Sequence, residues 1–342
     1  SAAWQSRRNV NLGTGGLKRE RLSMNPYVSA QIALLVEGLR LLETYVTAPQ
    51  ALHADIRMMR ESLPFPSAQE LSRDEATLLR QRHVELTDDQ PALALDAVQA
   101  VRATATTLSS LQEHPDAAID TSWFRRARLV LHRAEQQAGA DVRRFMTRHV
   151  TGIYVIVDPE ATQGRPVAEV ARATLAGGAR VIQLRDKLND KRVVLEQAKV
   201  VTEMCDEHDA LFFMNDDADV AQASNAHGLH IGQTDLPTEE SRKVLDQRQL
   251  IGRSNNGLEQ ALESHAQGVD YIAVGAIYAT STMGKSGRTA LGPEAITEVK
   301  QAVPRPIVAI GGIGGSNIVD VVEAGADCVC VVSAVTFADD PE

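Results

Sequence analysis

Cysteine is scarce: the 342-residue chain holds three, at 205, 328 and 330, too few for a disulfide framework. An odd thiol count suits a reducing compartment, so a cytoplasmic location is expected. Cys328 and Cys330 sit two apart in an apolar run, on one face of a strand, and no other residues are spaced to complete a zinc site with them. They read as buried structural thiols. Nowhere do about 18 apolar residues run together, so no membrane-spanning helix is expected. The first eight residues lack the apolar core of a signal peptide, and residues 1–26 read as a disordered leader. Lysine is almost missing from the front of the chain, which has one before residue 150 against 18 arginines.

Charge divides the chain in the same place. Residues 1–149 carry 19 Lys and Arg against 17 Asp and Glu, whereas residues 150–342 carry 16 against 28. The acidic part makes nucleic acid an unsuitable partner. The scattered arginines of the front part read as solvated helix faces.

Hydrophobic spacing separates the same two parts. In residues 27–149, Ile32, Leu35, Leu39 and Leu42 recur at intervals of three and four, and Ile56, Met59 and Leu63 continue similarly. Further helices are expected over 69–86, 91–112 and 123–149, with a break at Leu63-Pro64-Phe65-Pro66. Leu39, Leu42 and Glu43 align with Leu108, Leu111 and Gln112 at an offset of 69, each set followed by an arginine-rich helix, which suggests two helical pairs back to back.

From residue 150 short continuous apolar runs alternate with helix-sized pieces. Eight runs are strand candidates: 153–157, 181–184, 211–214, 228–231, 250–252, 271–274, 307–310 and 328–332. Continuous apolar character is what parallel strands buried on both faces require. The expected fold is therefore α/β, a (β/α)8 TIM barrel over 150–342 preceded by a separate all-α domain over 27–149. A doubly wound sheet would ordinarily use fewer strands. The barrel is short, and its eighth helix is expected to be missing beyond an opening at Asp339-Asp340-Pro341-Glu342.

In such barrels chemistry collects where the strands end. The second strand runs into Gln183-Leu184-Arg185-Asp186-Lys187, where alternation puts Gln183, Arg185 and Lys187 on one face. A bland surface cluster with Asp186 fits those residues equally well. The third and fourth strands run into Asn215-Asp216-Asp217 and His230-Ile231-Gly232-Gln233-Thr234-Asp235. Carboxylates from adjacent strand ends can share an octahedral Mg²⁺, while Asp217 and Asp219 are expected to cap the next helix. Glycines 311, 312, 314 and 315 after the seventh strand allow a phosphate to approach backbone amides, as the loops after strands seven and eight commonly do. No nucleophile and base are paired for acyl transfer, and His208, His227, His230 and His265 read as surface or core residues. The set suits an enzyme handling a phosphate and a pyrophosphate.

In their order, QLRDK at 183–187, NDD at 215–217, HIGQTD at 230–235, Thr280-Ser281-Thr282 and Ile310-Gly311-Gly312-Ile313 closely resemble the thiamine phosphate synthase family over about residues 151–342. The resemblance implies coupling of a hydroxymethylpyrimidine pyrophosphate to a thiazole phosphate, with small molecules as partners and room for a homo-oligomer. It implies that Gln183, Arg185, Lys187, Asn215 and Ser254 hold the pyrimidine substrate, with Arg185, Lys187 and Ser254 in catalytic roles. Asp216 and Asp235 would bind Mg²⁺, and Thr280, Thr282, Gly312, Val332 and Ser333 would hold the thiazole phosphate. The family's lysine after Thr-x-Thr is Met283 here, and Lys285 is the candidate replacement. That departure keeps two alternatives open: a thiazole tautomerase-like barrel, whose expected histidine is Asn256 here, and a non-catalytic phosphate-binding scaffold. The helical region resembles the N-terminal extension of some longer family members.

Overall fold

The computed structural model describes residues 26–65, 90–110, 121–280 and 289–342. The expected helix over 69–86 lies outside the described residues, as do Leu111, Gln112 and the leader up to residue 25.

Among the described residues, four helices form the front of the chain: α1 (Pro26–Tyr45), α2 (Gln50–Glu61), α3 (Gln90–Ser110) and α4 (Thr121–Met146). Helix α1 packs against α2 and α3, and α4 packs against the same two. Their heptad-like stripes meet in one core, with Leu35, Leu39, Ile56, Leu95, Val98, Trp123 and Leu131 all buried. The Trp123 indole donates to the Met59 carbonyl at 3.0 Å, so even its polar atom is satisfied there. The arginines are not merely solvated faces, as their spacing suggested. On α1, Glu43 accepts from both Arg57 and Arg60 of α2, Arg133 of α4 reaches Asp55 of α2, and Arg102 of α3 pairs with Glu135 of α4. Most of these ions tie one helix to another.

Beyond residue 150, eight parallel strands close into a barrel in sequence order, β1 pairing with both β2 and β8. They are β1 (Gly152–Val157), β2 (Val181–Leu184), β3 (Leu211–Asn215), β4 (Gly228–Ile231), β5 (Leu250–Asn255), β6 (Tyr271–Val274), β7 (Ile307–Ile310) and β8 (Cys328–Val331). Between them lie α5 (Val167–Ala176), α6 (Lys191–Glu207), α7 (Ala218–Ala223), α8 (Thr238–Val244), α9 (Leu258–Ala266), α10 (Glu294–Ala302) and α11 (Ile318–Glu323).

Strand alternation splits the continuous apolar runs into two cores. Outward residues such as Val155, Ile182, Phe212, Leu229, Ile272 and Val329 pack under the helices. Inward residues such as Tyr154, Phe213, Tyr271, Cys328 and Cys330 fill the interior, and both thiols are buried and free. After β8 comes one helical turn, α12 (Ser333–Thr336), and residues 337–342 are turn, bend and irregular chain.

The helical module meets the barrel where the strands begin. Arg143 of α4 donates to the Gln247 carbonyl and faces Asp270, just before β6, across 3.4 Å. Asp270 also takes Arg242 and the Ile251 amide. Arg248, just before β5, pairs with Asp96 of α3. Burial, with Arg242 close by, pushes the Arg143 guanidinium down to about 10. Among the described residues, the helical module leaves the opposite end of the barrel open.

Candidate active site

At that open end the inward face turns polar. Asp158 follows β1 by one residue, is fully buried, and accepts the Glu160 amide while pairing with Arg185. Arg185 is fixed at its backbone too, its N–H donating to the Val157 carbonyl at 3.0 Å. Asp186 does not join a salt-bridge cluster. It turns inward on its own loop, accepting from the Leu188 and Asn189 amides and the Asn189 side chain. The two cations are thereby released to separate partners.

Lys187 extends to the next strand end, where its Nζ lies 2.7 Å from Asp216 Oδ2. Asp216 stands in the left-handed region with φ +61 and donates its amide to the His230 carbonyl at 2.9 Å, which anchors the turn after β3 to β4. Its carboxylate also meets that of Asp235, whose Oδ2 accepts the Gly232 amide at 2.7 Å. Burial first, then the Asp216 carboxylate, push the Asp235 carboxyl above the usual range. Two acids side by side could hold a cation, although the described residues contain no cluster of three or more His, Cys, Asp or Glu that would cage one. Asn215, buried at the end of β3, stands beside them.

Asp217 holds the cap position of α7 without a side-chain cap bond, whereas the Asp219 carboxylate takes the Val220 amide and its own in the first turn. Both carboxylates also bind Lys191, at 3.1 and 3.0 Å. A long cation within reach is a stronger partner than one backbone amide.

Across the mouth, the ends of β5 to β8 enclose a cavity of about 480 Å³. Ser254, Thr280, Gly312, Val332 and Ser333 all line it, so five of the expected substrate residues share one space. Gly312 has φ +64, and a Cβ there would stand 2.6 Å from the Ala279 carbonyl oxygen. Only glycine permits that approach. Asn317 braces the loop, donating to the Gly312 carbonyl at 3.0 Å and accepting the Gly314 amide at 2.9 Å. Thr282, Lys285 and Met283 lie outside the described residues.

Ser254 is held from two sides. Gln233 donates to its carbonyl, and its Oγ lies 2.9 Å from His230 Nε2. His230 is a core residue as expected, 8% exposed, but it faces inward and touches the site. Gln183, only 2% exposed, donates its amide to the Tyr154 hydroxyl at 2.6 Å. Asp158, which no motif marks, and His230, whose sequence context reads as a surface or core histidine, are the two further neighbours of the site. Both were marked by inward parity at a strand end.

Known proteins give this mouth a lineage. The sequence profile of the family described as thiamine monophosphate synthase matches residues 153–335. The chain belongs to that family. A thiamine-phosphate synthase from Thermobifida fusca is 46% identical over 191 residues, covering 55% of this chain and 86% of its own length. One from Thermosynechococcus vestitus is 41% identical over 174 residues, covering 51% of this chain but 49% of its own, so the family barrel also occurs within a longer protein. Among solved structures, a thiamine phosphate pyrophosphorylase from Pyrococcus furiosus superposes with a TM-score of 0.52 at 34% identity, over 57% of this chain and 92% of that one. The family match spans every site residue named above and leaves the helical module outside it.

Proposed function

We propose that the barrel is a thiamine-phosphate synthase, joining a hydroxymethylpyrimidine pyrophosphate to a thiazole phosphate and releasing pyrophosphate. The observation that carries this reading is the pairing of two unlike subsites in one mouth. One side holds Arg185, Lys187, Asn215 and the Asp216–Asp235 pair, and the other holds the glycine-lined cavity with Ser254, Thr280 and Ser333.

Chemistry at such a site runs through the departure of the pyrophosphate from a benzylic-type carbon. The electron-rich pyrimidine stabilises the cation left behind, and the thiazole nitrogen captures it. No general base is essential, and none is needed from the residues in the mouth. Negative charge grows on the departing group, so Arg185 and Lys187 are placed to meet it and Asn215 to orient it. The backbone around Gly312, Val332 and Ser333, with Thr280 and Thr282, would hold the thiazole phosphate, and Lys285 would add a cation from its loop.

Asp216 and Asp235 suit Mg²⁺ on their own chemistry. Burial first, and then the neighbouring Asp216 carboxylate, raise the Asp235 carboxyl, so a divalent cation between the two acids would relieve their repulsion. When bound, Mg²⁺ supplies neutralisation of the pyrophosphate charge. The partners of such an enzyme are small molecules; no helix among the described residues is long and apolar enough to cross a membrane.

The test is to incubate the protein with both substrates and Mg²⁺ and to measure pyrophosphate. Release that needs both substrates is expected. Thiazole conversion alone, or no turnover, would overturn the reading.

A further inference from the structure

Side chains run in a hydrogen-bonded line from the middle of the barrel to the cavity. Gln183 Nε2 donates to the Tyr154 hydroxyl at 2.6 Å, and that hydroxyl lies 3.0 Å from the Tyr271 hydroxyl. Tyr271 in turn lies 2.7 Å from His230 Nδ1, and His230 Nε2 lies 2.9 Å from Ser254 Oγ. The line exists because β5 has a glycine opposite it. A Cβ on Gly252 would stand 1.9 Å from Tyr271 Cζ, so any other residue would expel the ring. Phe213 packs edge-on against Tyr271 at 5.2 Å, and the His230 ring stacks on it at 5.8 Å.

The group at the inner end sets the direction. An amide nitrogen can only donate, so Tyr154 accepts from Gln183 and has its own proton to give. Given to Tyr271, that proton frees the Tyr271 proton for His230 Nδ1. A neutral imidazole accepting at Nδ1 carries its hydrogen on Nε2, which then donates to Ser254 Oγ. The serine proton is left for the cavity. In the reverse direction Tyr154 would accept twice, and its own proton would face the apolar interior and the thiols of Cys328 and Cys330, which are weak acceptors. A buried hydroxyl without a good acceptor is costly. Burial holds both phenols well above their usual range, so neither ionises to reverse the line.

We propose that Gln183, Tyr154, Tyr271 and His230 form a one-way relay that fixes His230 as the Nε2–H tautomer and commits the Ser254 hydroxyl as a donor into the cavity, toward an acceptor atom of the bound substrate. His230 is a positioning residue, acting through Ser254. The inference deepens the synthase reading and rests on it for the identity of the substrate, while the tautomer itself is open to a direct test.

Two measurements on the full chain decide it. In ¹⁵N-histidine NMR of the resting protein, the resonance lost in His230→Gln identifies His230, and a neutral ring with hydrogen on Nε2 is expected. Hydrogen on Nδ1, or a charged ring, overturns the relay. In turnover, His230→Asn keeps an amide where Nδ1 was but cannot reach Ser254, whereas His230→Gln puts one where Nε2 was. We expect kcat to fall about tenfold in the asparagine variant, the scale of one hydrogen bond, with KM nearly unchanged, and most of it to return in the glutamine variant. In a Ser254→Ala background the asparagine change should then cost less than about twofold. Equal losses in both variants, or undiminished loss without Ser254, overturn the positioning role. A wild-type chain that releases no pyrophosphate overturns the synthase reading instead, and the NMR result still judges the relay.

Discussion

Asp158 closes a buried ion pair onto Arg185 across the ends of β1 and β2, with the carboxylate side chain wholly out of solvent and the guanidinium 23% exposed. A carboxylate so placed needs its partner, and the partner in turn gains a fixed direction. Asp158 also accepts the Glu160 amide, so the loop after β1 holds the pair in register. The exposed fraction of Arg185 is what remains for a ligand.

Asp158→Asn keeps the shape and the Glu160 bond while removing the charge. Arg185 should lose its aim, and KM for the pyrimidine pyrophosphate should rise about tenfold while kcat changes less. Steady-state kinetics with each substrate varied in turn will read this. An unchanged KM would show that Arg185 is positioned without Asp158.

Asp216 and Asp235 make a prediction about pH and stability together. Asp235 has its carboxyl raised in the folded chain, so the folded state binds a proton that the unfolded state has already lost. Folding is therefore favoured at acid pH, and that advantage disappears as pH rises through the raised value. Asp235→Asn should raise the Tm of the metal-free protein at neutral pH, with little change at acid pH. Mg²⁺ should raise the wild-type Tm more at about pH 7 than at about pH 5, because proton and cation compete for one carboxyl. Asp216→Ala should lower turnover by about 10²–10³, as loss of a group stabilising developing charge does. Thermal scans that ignore both Mg²⁺ and Asp235 would remove the metal assignment.

Much of this site was legible because a parallel barrel converts sequence order into spatial order. Continuous apolar runs located the strands, and the residues following each run, Arg185, Lys187, Asp216 and Asp235, were brought to one mouth. Less legible were residues whose meaning depends on parity inside a strand. His230 reads as an ordinary core histidine until β4 alternation turns it inward between Tyr271 and Ser254. Asp158 lies beyond the one strand whose loop carries no motif. Asp217 looked like a helix cap because its competing partner, Lys191, sits on a different helix, a contact that no local pattern encodes.

Arg143 links the helical module to the base of the barrel, far from the mouth. Arg143→Ala removes one of the two arginines on Asp270 and the bond to the Gln247 carbonyl, leaving Arg242 to hold the carboxylate. A loss of about 1–3 kcal/mol is expected from calorimetry, below the cost of stranding a buried charge outright. Pyrophosphate release should be unaffected. If kcat falls with the Tm, the helical module reaches the chemistry through this contact.

Gly312 offers the sharpest test of the phosphate subsite. At φ +64 its backbone sits where other residues are strained, and an added methyl would stand within 2.6 Å of the Ala279 carbonyl and 2.9 Å of Tyr278 Cβ. The first is a backbone atom and the second is fixed directly to the backbone leading to Thr280, so the clash cannot be relieved by one side chain turning aside. Gly312→Ala must push the loops after β6 and β7 apart, widening the cavity between Thr280 and Ser333. KM for thiazole phosphate should rise by at least about tenfold, with KM for the pyrimidine pyrophosphate changing far less, since Arg185 and Lys187 lie across the mouth. Inhibition by inorganic phosphate should weaken in parallel. Equal losses for both substrates would mean that the two subsites are not separate, and the division of labour across the barrel mouth would have to be abandoned.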